Sequence, residues 1–180
     1  MSAGGKLTAE IGARLEEWLS PMGYEVLFDH GGGSENIGNI VSWFGTAAAP
    51  TLETELSQVD IAVVSRSPDG PRACALIEIE ESSDRPKNVI GDLMAVLMGD
   101  HVSFRLQKLA IDERTALILM ARGPLAHWPR MRELVEHVRA AQPHLVSGNA
   151  RLGTVAGELY GDVTELASKL MYLVEEAVRR

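Results

Sequence analysis

Cysteine is nearly absent from this sequence, which contains only Cys74. A single cysteine cannot form a disulfide within the chain, and it excludes a zinc centre built from several cysteines. This scarcity is typical of proteins from reducing compartments, so we expect a cytoplasmic protein.

Long apolar runs are missing as well. No run approaches the roughly 20 residues that a membrane-spanning helix requires, and the opening residues MSAGGKLTAE lack the apolar segment of a signal peptide. We therefore expect no membrane insertion. The hydrophobic residues, 46% of the chain, suffice for a packed core. We predict a single domain over residues 1–180, with its core at about 8–121 and a C-terminal helical part at about 127–180.

Positive charge is scarce, and the formal net charge is -8. Proteins that coat nucleic acid usually have a basic surface, so this charge argues against that class. It is compatible with an enzyme that contacts nucleic acid through a local basic patch. Arginine outnumbers lysine by 13 to 4, and arginine is the better bidentate ligand of phosphate. A GC-rich coding bias explains the same ratio.

Several common catalytic motifs are also lacking. The glycines at 31–33 are not followed by the Lys-Ser/Thr of a P-loop, so nucleotide binding there is the weakest of the alternatives. The five histidines do not have the spacing of a metal site, and no serine lies in a nucleophile elbow. Any chemistry must therefore come from other side chains.

Hydrophobic periodicity predicts four helices and four strands. The helices are expected at residues 8–20, 87–98, 129–141 and 163–179. The strands are expected at residues 24–29, 59–65, 73–80 and 115–121. Residues 40–44 fit either a strand or a helical turn. An apolar stripe on the last helix is either core or a dimer seam, and it comprises Leu166, Leu170, Leu173 and Val174. The order of elements predicts an α/β fold with a central mixed β-sheet, a β-hairpin at its core and flanking helices.

The hairpin at 59–80 places acidic residues opposite one another. The turn at 68–70 is typical of a tight reversal. If the strands pair symmetrically about Asp69, the numbers of paired residues sum to about 138, which puts Asp60 opposite Glu78. Side chains alternate along a strand, so Glu78 and Glu80 share one face. We therefore predict that Asp60, Glu78 and Glu80 gather on one patch of the sheet.

Such a cluster needs compensation, because like charges across a ladder repel and because desolvating a carboxylate is costly. A bound proton or a cation would relieve both costs. Hard oxygen ligands suit Mg²⁺ or Mn²⁺, which activate water against phosphodiesters. The alternative is a structural acidic patch where strand ends meet solvent.

The segments VDIAVVS, with Asp60, and IEIEES, with Glu78 and Glu80, are followed by a predicted helix. They resemble the motif of the PD-(D/E)xK nuclease superfamily, which has the restriction-endonuclease-like fold. The resemblance covers about residues 8–121. It implies that Asp60, Glu78 and the carbonyl oxygen of Ile79 bind Mg²⁺ or Mn²⁺, that DNA is the substrate, and that the chain acts as a homodimer.

The resemblance has one departure, because Glu80 stands where the commonest motif has lysine. Glutamate can accept a proton or bind a second metal ion, but it supplies no positive charge. Lys87, at the start of the next helix, is the candidate replacement, and Arg85 is a candidate phosphate contact. Glu10 on the first helix is a further candidate metal ligand, or else a solvated residue beside Arg14.

Two functions follow as expectations. The first is a magnesium-dependent nuclease, with Asp60, Glu78, Glu80 and Lys87 as catalytic residues and with a partner protein helping to bind DNA. The second is a nuclease-like fold that no longer cuts and serves as a nucleic-acid-binding or protein-binding module. The acidic charge and Glu80 favour the second.

Overall fold

The computed structural model describes residues 4–28, 39–45, 48–67, 70–81, 86–104, 107–124, 127–145 and 152–180. Within these ranges the chain forms four α-helices, one short 3-10 helix (Ser20–Met22) and nine strands. The helices are α1 (Gly4–Leu19), α2 (Pro86–Leu97), α3 (Trp128–Leu145) and α4 (Val163–Val178). The strands are β1 (Tyr24–Phe28), β2 (Ile40–Trp43), β3 (Glu55–Val59), β4 (Ile61–Ser67), β5 (Gly70–Glu80), β6 (His101–Phe104), β7 (Gln107–Ala110), β8 (Ala116–Arg122) and β9 (Thr154–Tyr160).

A mixed, open central sheet is built around the 11-residue strand β5. On one side β5 pairs antiparallel with β4, which pairs antiparallel with β1. On the other side the end of β5 pairs parallel with β8, and β8 pairs parallel with β9. The central order is therefore β1-β4-β5-β8-β9, and the predicted α/β class with a mixed sheet is confirmed.

A second group of strands branches from the beginning of β5. Arg72 pairs with Ala110 of β7, and β7, β6, β2 and β3 follow in antiparallel order. Of the two alternatives for residues 40–44, a strand or a helical turn, the structure shows the strand, β2. These short strands lie on the α2 side of the molecule, where β2 and β3 contact that helix.

Helices cover both faces of the central sheet. Helices α1 and α4 pack on one face, over side chains such as Ile61, Ile77 and Ile79. Helices α2 and α3 pack on the other face, over side chains such as Leu76 and Leu117. Strands buried on both faces are expected to be apolar, as β4 is at Ile61–Val64 and β5 at Ala73–Ile77. The stripe on α4 belongs to this core, because Leu166, Leu170 and Val174 are fully buried.

The structure confirms the predicted hairpin register near the acidic residues. Ile61 pairs with Ile77, which gives the expected sum of 138, and a bulge between Val63 and Val64 lowers the sum to 137 towards the turn. The turn residues 68 and 69 lie outside the described ranges, and Gly70 has a positive φ of 108°.

The part of the chain at 127–180 differs from its prediction as helical. Strand β9 lies between α3 and α4 and extends the central sheet. No helix among the described residues has both the length and the apolar character to cross a membrane. The cytoplasmic location stays a prediction.

Candidate functional site

Asp60 occupies a bend immediately before β4. Its Oδ2 atom accepts a hydrogen bond of 2.7 Å from the backbone N–H of Ile79 in β5. The carboxylate thus takes the place of a backbone acceptor where the β4–β5 ladder ends. Hydrogen bonds to an ionised acceptor are stronger than neutral ones. This bond therefore fixes Asp60 against the end of β5.

Glu78 lies opposite Asp60 if the β4–β5 register is extended by one pair beyond Ile61 and Ile77. The residue is only 5% exposed, and its Oε1 atom is not accessible to solvent. Ile77 and Ile79 point to the α1 and α4 face. By alternation, Glu78 points to the α2 and α3 face. A carboxylate buried this deeply needs polar or cationic compensation.

The backbone of Ile79 adds an oxygen to this position. In an extended strand the N–H and C=O groups of one residue point to the same neighbouring strand. Because the N–H of Ile79 reaches Asp60, its carbonyl oxygen faces the same side. The register and the alternation thus place two carboxylates and one carbonyl near the end of β5. Mg²⁺ commonly uses one or two protein carboxylates together with water.

Glu80 is the last residue of β5 and is partly exposed. Alternation places it on the face of Glu78. Within the described ranges, no three or more His, Cys, Asp or Glu side chains form a group that could hold a metal ion. The roles of Asp60, Glu78 and Glu80 as metal ligands stay predictions.

Glu10 lies on α1, the helix that covers the other face of the sheet. It is 48% exposed and forms an ion pair of 2.7 Å with Arg14 one turn away. This matches the solvated alternative that the sequence left open. Its role as a metal ligand stays a prediction.

The two basic residues that the sequence proposed as phosphate contacts lie partly or wholly outside the described structure. Lys87 belongs to the first turn of α2, but its side chain lies outside the described part of the structure, and Arg85 lies outside it altogether. The glycines at 31–33 are outside it too.

A cavity that the sequence did not reveal opens at the same edge of the sheet. It lies where β5, β8 and β9 end and where α1 and α4 begin, and Glu81, Arg122 and Tyr160 line it. Burial, and next the carboxylate of Glu81, raise the pKa of the Tyr160 hydroxyl well above its usual value. The negative charges of Glu80 and Asp60 also raise the pKa of Tyr160. These two carboxylates are therefore close enough to the cavity to interact electrostatically with its lining.

No protein-family model matches the chain, and searches of curated proteins and of solved structures gave no significant match.

Proposed function

We propose that this protein is a metal-dependent phosphodiester hydrolase of the restriction-endonuclease-like fold, a nuclease that acts on DNA. One observation carries the proposal: Asp60 is bonded to the amide of Ile79 beside the buried Glu78. Asp60, Glu78 and the Ile79 carbonyl would together hold Mg²⁺ or Mn²⁺.

The order of elements supports this proposal. Within the central sheet, α1 precedes three antiparallel strands, β1, β4 and β5, and α2 leads from β5 to the parallel strand β8. Asp60 precedes the second of these strands, and Glu78 and Glu80 end the third. The motif that the sequence resembles has an aspartate and a Glu-x-Lys at these positions, followed by a helix.

Each candidate residue has a separate role in the proposed hydrolysis. A divalent cation held by Asp60 and Glu78 would supply the activation of water and would offset the charge that develops on a phosphate. Asp60, held by the Ile79 amide, keeps its carboxylate at a fixed position. The buried Glu78 supplies a second carboxylate away from bulk water. Glu80, partly exposed at the strand end, accepts a proton from the attacking water. Lys87 or Arg85 steadies the phosphate.

A second function is favoured by specific observations. Glu80 stands at the lysine position, and no group of three metal-binding side chains occurs among the described residues. Together with the net charge of -8, these support a non-cutting module that binds nucleic acid or protein. A homodimer or a partner protein would then provide the contact surface.

A cleavage assay separates the two functions. Purified protein is incubated with supercoiled plasmid and with single-stranded DNA, in Mg²⁺ and in Mn²⁺. The nuclease proposal expects cleavage that Asp60→Asn and Glu78→Gln each reduce by about 100-fold or more, because each removes a metal ligand. Glu176→Gln, at an exposed position on α4, changes the net charge equally and should cut normally. Equal inertness of all four proteins with every substrate favours the binding module.

A further inference from the structure

The cavity lies on the α1 and α4 face, at the same edge of the sheet as the proposed metal site, and it has the size and position of a ligand site. Its volume is about 360 Å³, within the range of pockets that hold small molecules. Its floor is formed by the ends of three parallel strands, β5, β8 and β9. Open α/β sheets typically bind ligands outside the carboxyl ends of their strands.

Tyr160 points independently to ligand binding in this cavity. The residue is 2% exposed and lines the cavity. Within the described part of the chain its buried hydroxyl has no hydrogen-bond partner. By contrast, the hydroxyl of Tyr24 donates to the carbonyl oxygen of Val178 at 3.1 Å. Buried hydroxyls in native proteins are nearly always bonded, so a ligand atom is the natural partner for Tyr160.

The N-terminus of α4, which also borders the cavity, is capped in part by side chains of the chain itself. The amide of Glu165 donates to Asp162 Oδ1 at 2.9 Å, and the amide of Gly161 donates to Glu165 Oε2 at 2.8 Å. A phosphate would therefore compete with these carboxylates for the amides. It would also face three carboxylates in the cavity wall, those of Glu10, Glu81 and Asp162, against two cations, Lys6 and Arg122. The arrangement disfavours an anion as the occupant.

The cavity instead presents hydrogen-bond donors and acceptors side by side. Glu80 pairs with Ala121 in the parallel ladder, so the next residues, Glu81 and Arg122, are neighbours across the two strands. The first supplies a carboxylate and the second a guanidinium. Apolar walls are added by Leu7 and Val163. A flat, neutral ring with donors and acceptors along one edge matches this lining.

We propose that this cavity binds an unpaired nucleobase of the substrate strand, with guanine preferred, an inference that rests on the proposed nuclease function. Guanine offers two N–H donors side by side, on N1 and on the exocyclic N2, which one carboxylate can accept together, and this assigns them to Glu81. The neighbouring O6 acceptor then faces Arg122, and Tyr160 bonds a remaining ring or sugar atom. Since a paired base cannot enter, the substrate is single-stranded at this position or has the nucleotide turned out of the helix.

Nucleoside binding to the metal-free protein tests the proposal. Guanosine, adenosine, cytidine and thymidine, all in their 2′-deoxy forms, are titrated separately and followed by calorimetry, with inorganic phosphate as a fifth probe. Guanosine should bind most tightly. Glu81→Gln should weaken it by about 10-fold or more, because a charged acceptor of two bonds is lost. Tyr160→Phe should weaken it by roughly 3-fold to 10-fold, because one neutral bond is lost.

Controls separate binding from folding. Tyr160→Phe removes a hydroxyl without a partner among the described residues, so its melting temperature should not fall. Tyr24→Phe loses a hydrogen bond, so its melting temperature should fall while it binds guanosine normally.

The proposal is overturned if guanosine does not bind, if all four nucleosides bind equally, or if only phosphate binds. A nucleoside needs neither the metal nor a phosphodiester, so such a failure leaves the nuclease proposal standing. Guanosine binding without any cleavage would refute the nuclease proposal alone.

Discussion

Replacing Asp60 by alanine removes the acceptor of the Ile79 amide, a bond of 2.7 Å to a partly buried carboxylate. Hydrogen bonds to charged groups contribute about 1.5–3 kcal/mol, and the partial exposure of Asp60 favours the lower end. We expect Asp60→Ala to lower the free energy of unfolding by about 1.5–2 kcal/mol. In a chain of this length each kcal/mol corresponds to about 2–4 °C, so the melting temperature should fall by about 3–8 °C.

The variant Asp60→Asn distinguishes the loss of the hydrogen bond from the loss of the negative charge. Its amide oxygen can still accept from Ile79, so the variant should lie within about 1 kcal/mol of the wild type. Urea unfolding measures both variants, and hydrogen exchange at the Ile79 amide reports the bond itself. Asp162→Ala is the matched control, because it removes another aspartate that accepts from a backbone amide, that of Glu165. It should cost about 1 kcal/mol as a lost helix cap and leave exchange at Ile79 unchanged.

Two outcomes would refute the reasoning about Asp60. If Asp60→Ala were as stable as the wild type, the bond to Ile79 would not hold the strand end. If Asp60→Asn were as unstable as Asp60→Ala, charge compensation would matter more than the hydrogen bond. In the predicted outcome, Asp60→Asn is a well-folded protein that lacks only the metal ligand, as the cleavage assay requires.

Two further perturbations test other parts of the structure. Burial, and next the Lys108 ammonium, lower the pKa of His101 below 6.5 in the folded protein. As the pH falls, the histidine of the unfolded chain therefore binds a proton before that of the folded chain, and the free energy of unfolding decreases as the pH falls through 6.5. Melting curves from about pH 8 to about pH 5 should fall more steeply for the wild type than for His101→Phe, and equal slopes would contradict this. Gly12→Ala in α1 would place a Cβ 2.5 Å from the ring of the buried Phe28, so urea unfolding should show a loss of about 1–3 kcal/mol despite the better helix propensity. Gly91→Ala in α2, with open space around its Cβ, should instead gain up to about 1 kcal/mol, and equal effects at both positions would contradict the packing argument.

The hairpin was predictable from the sequence because its two strands are long, apolar and joined by a recognisable turn. The predicted sum of 138 holds for Ile61 and Ile77, next to the acidic residues. It does not hold at the turn, where Ser67 pairs with Gly70, and the bulge makes up the difference of one residue. The pairing of Asp60 with Glu78 extrapolates this register by one step, and a bulge was allowed for, but its place between Val63 and Val64 could not be predicted from the sequence.

Strand β9 could not be predicted, because TVAGELY contains alanine and glycine, which weaken a strand pattern. Its glycine has a tertiary reason: a Cβ at Gly157 would lie 2.6 Å from Val135 of α3. Strands β6 and β7 have four residues each, too few for a periodicity to stand out. Because Tyr160 lies in β9, the cavity could not be predicted from the sequence either. Its lining comes from chain segments that meet only in the folded sheet.

The central claim is that Asp60 and Glu78 bind one divalent cation, and a Mn²⁺ titration by calorimetry tests it most directly. We predict one Mn²⁺ ion bound per chain in the wild type and in Glu176→Gln. Binding should be lost or weakened by about 10-fold to 100-fold in Asp60→Asn and in Glu78→Gln. A wild type that binds no Mn²⁺, or four proteins that bind it equally, would contradict the account.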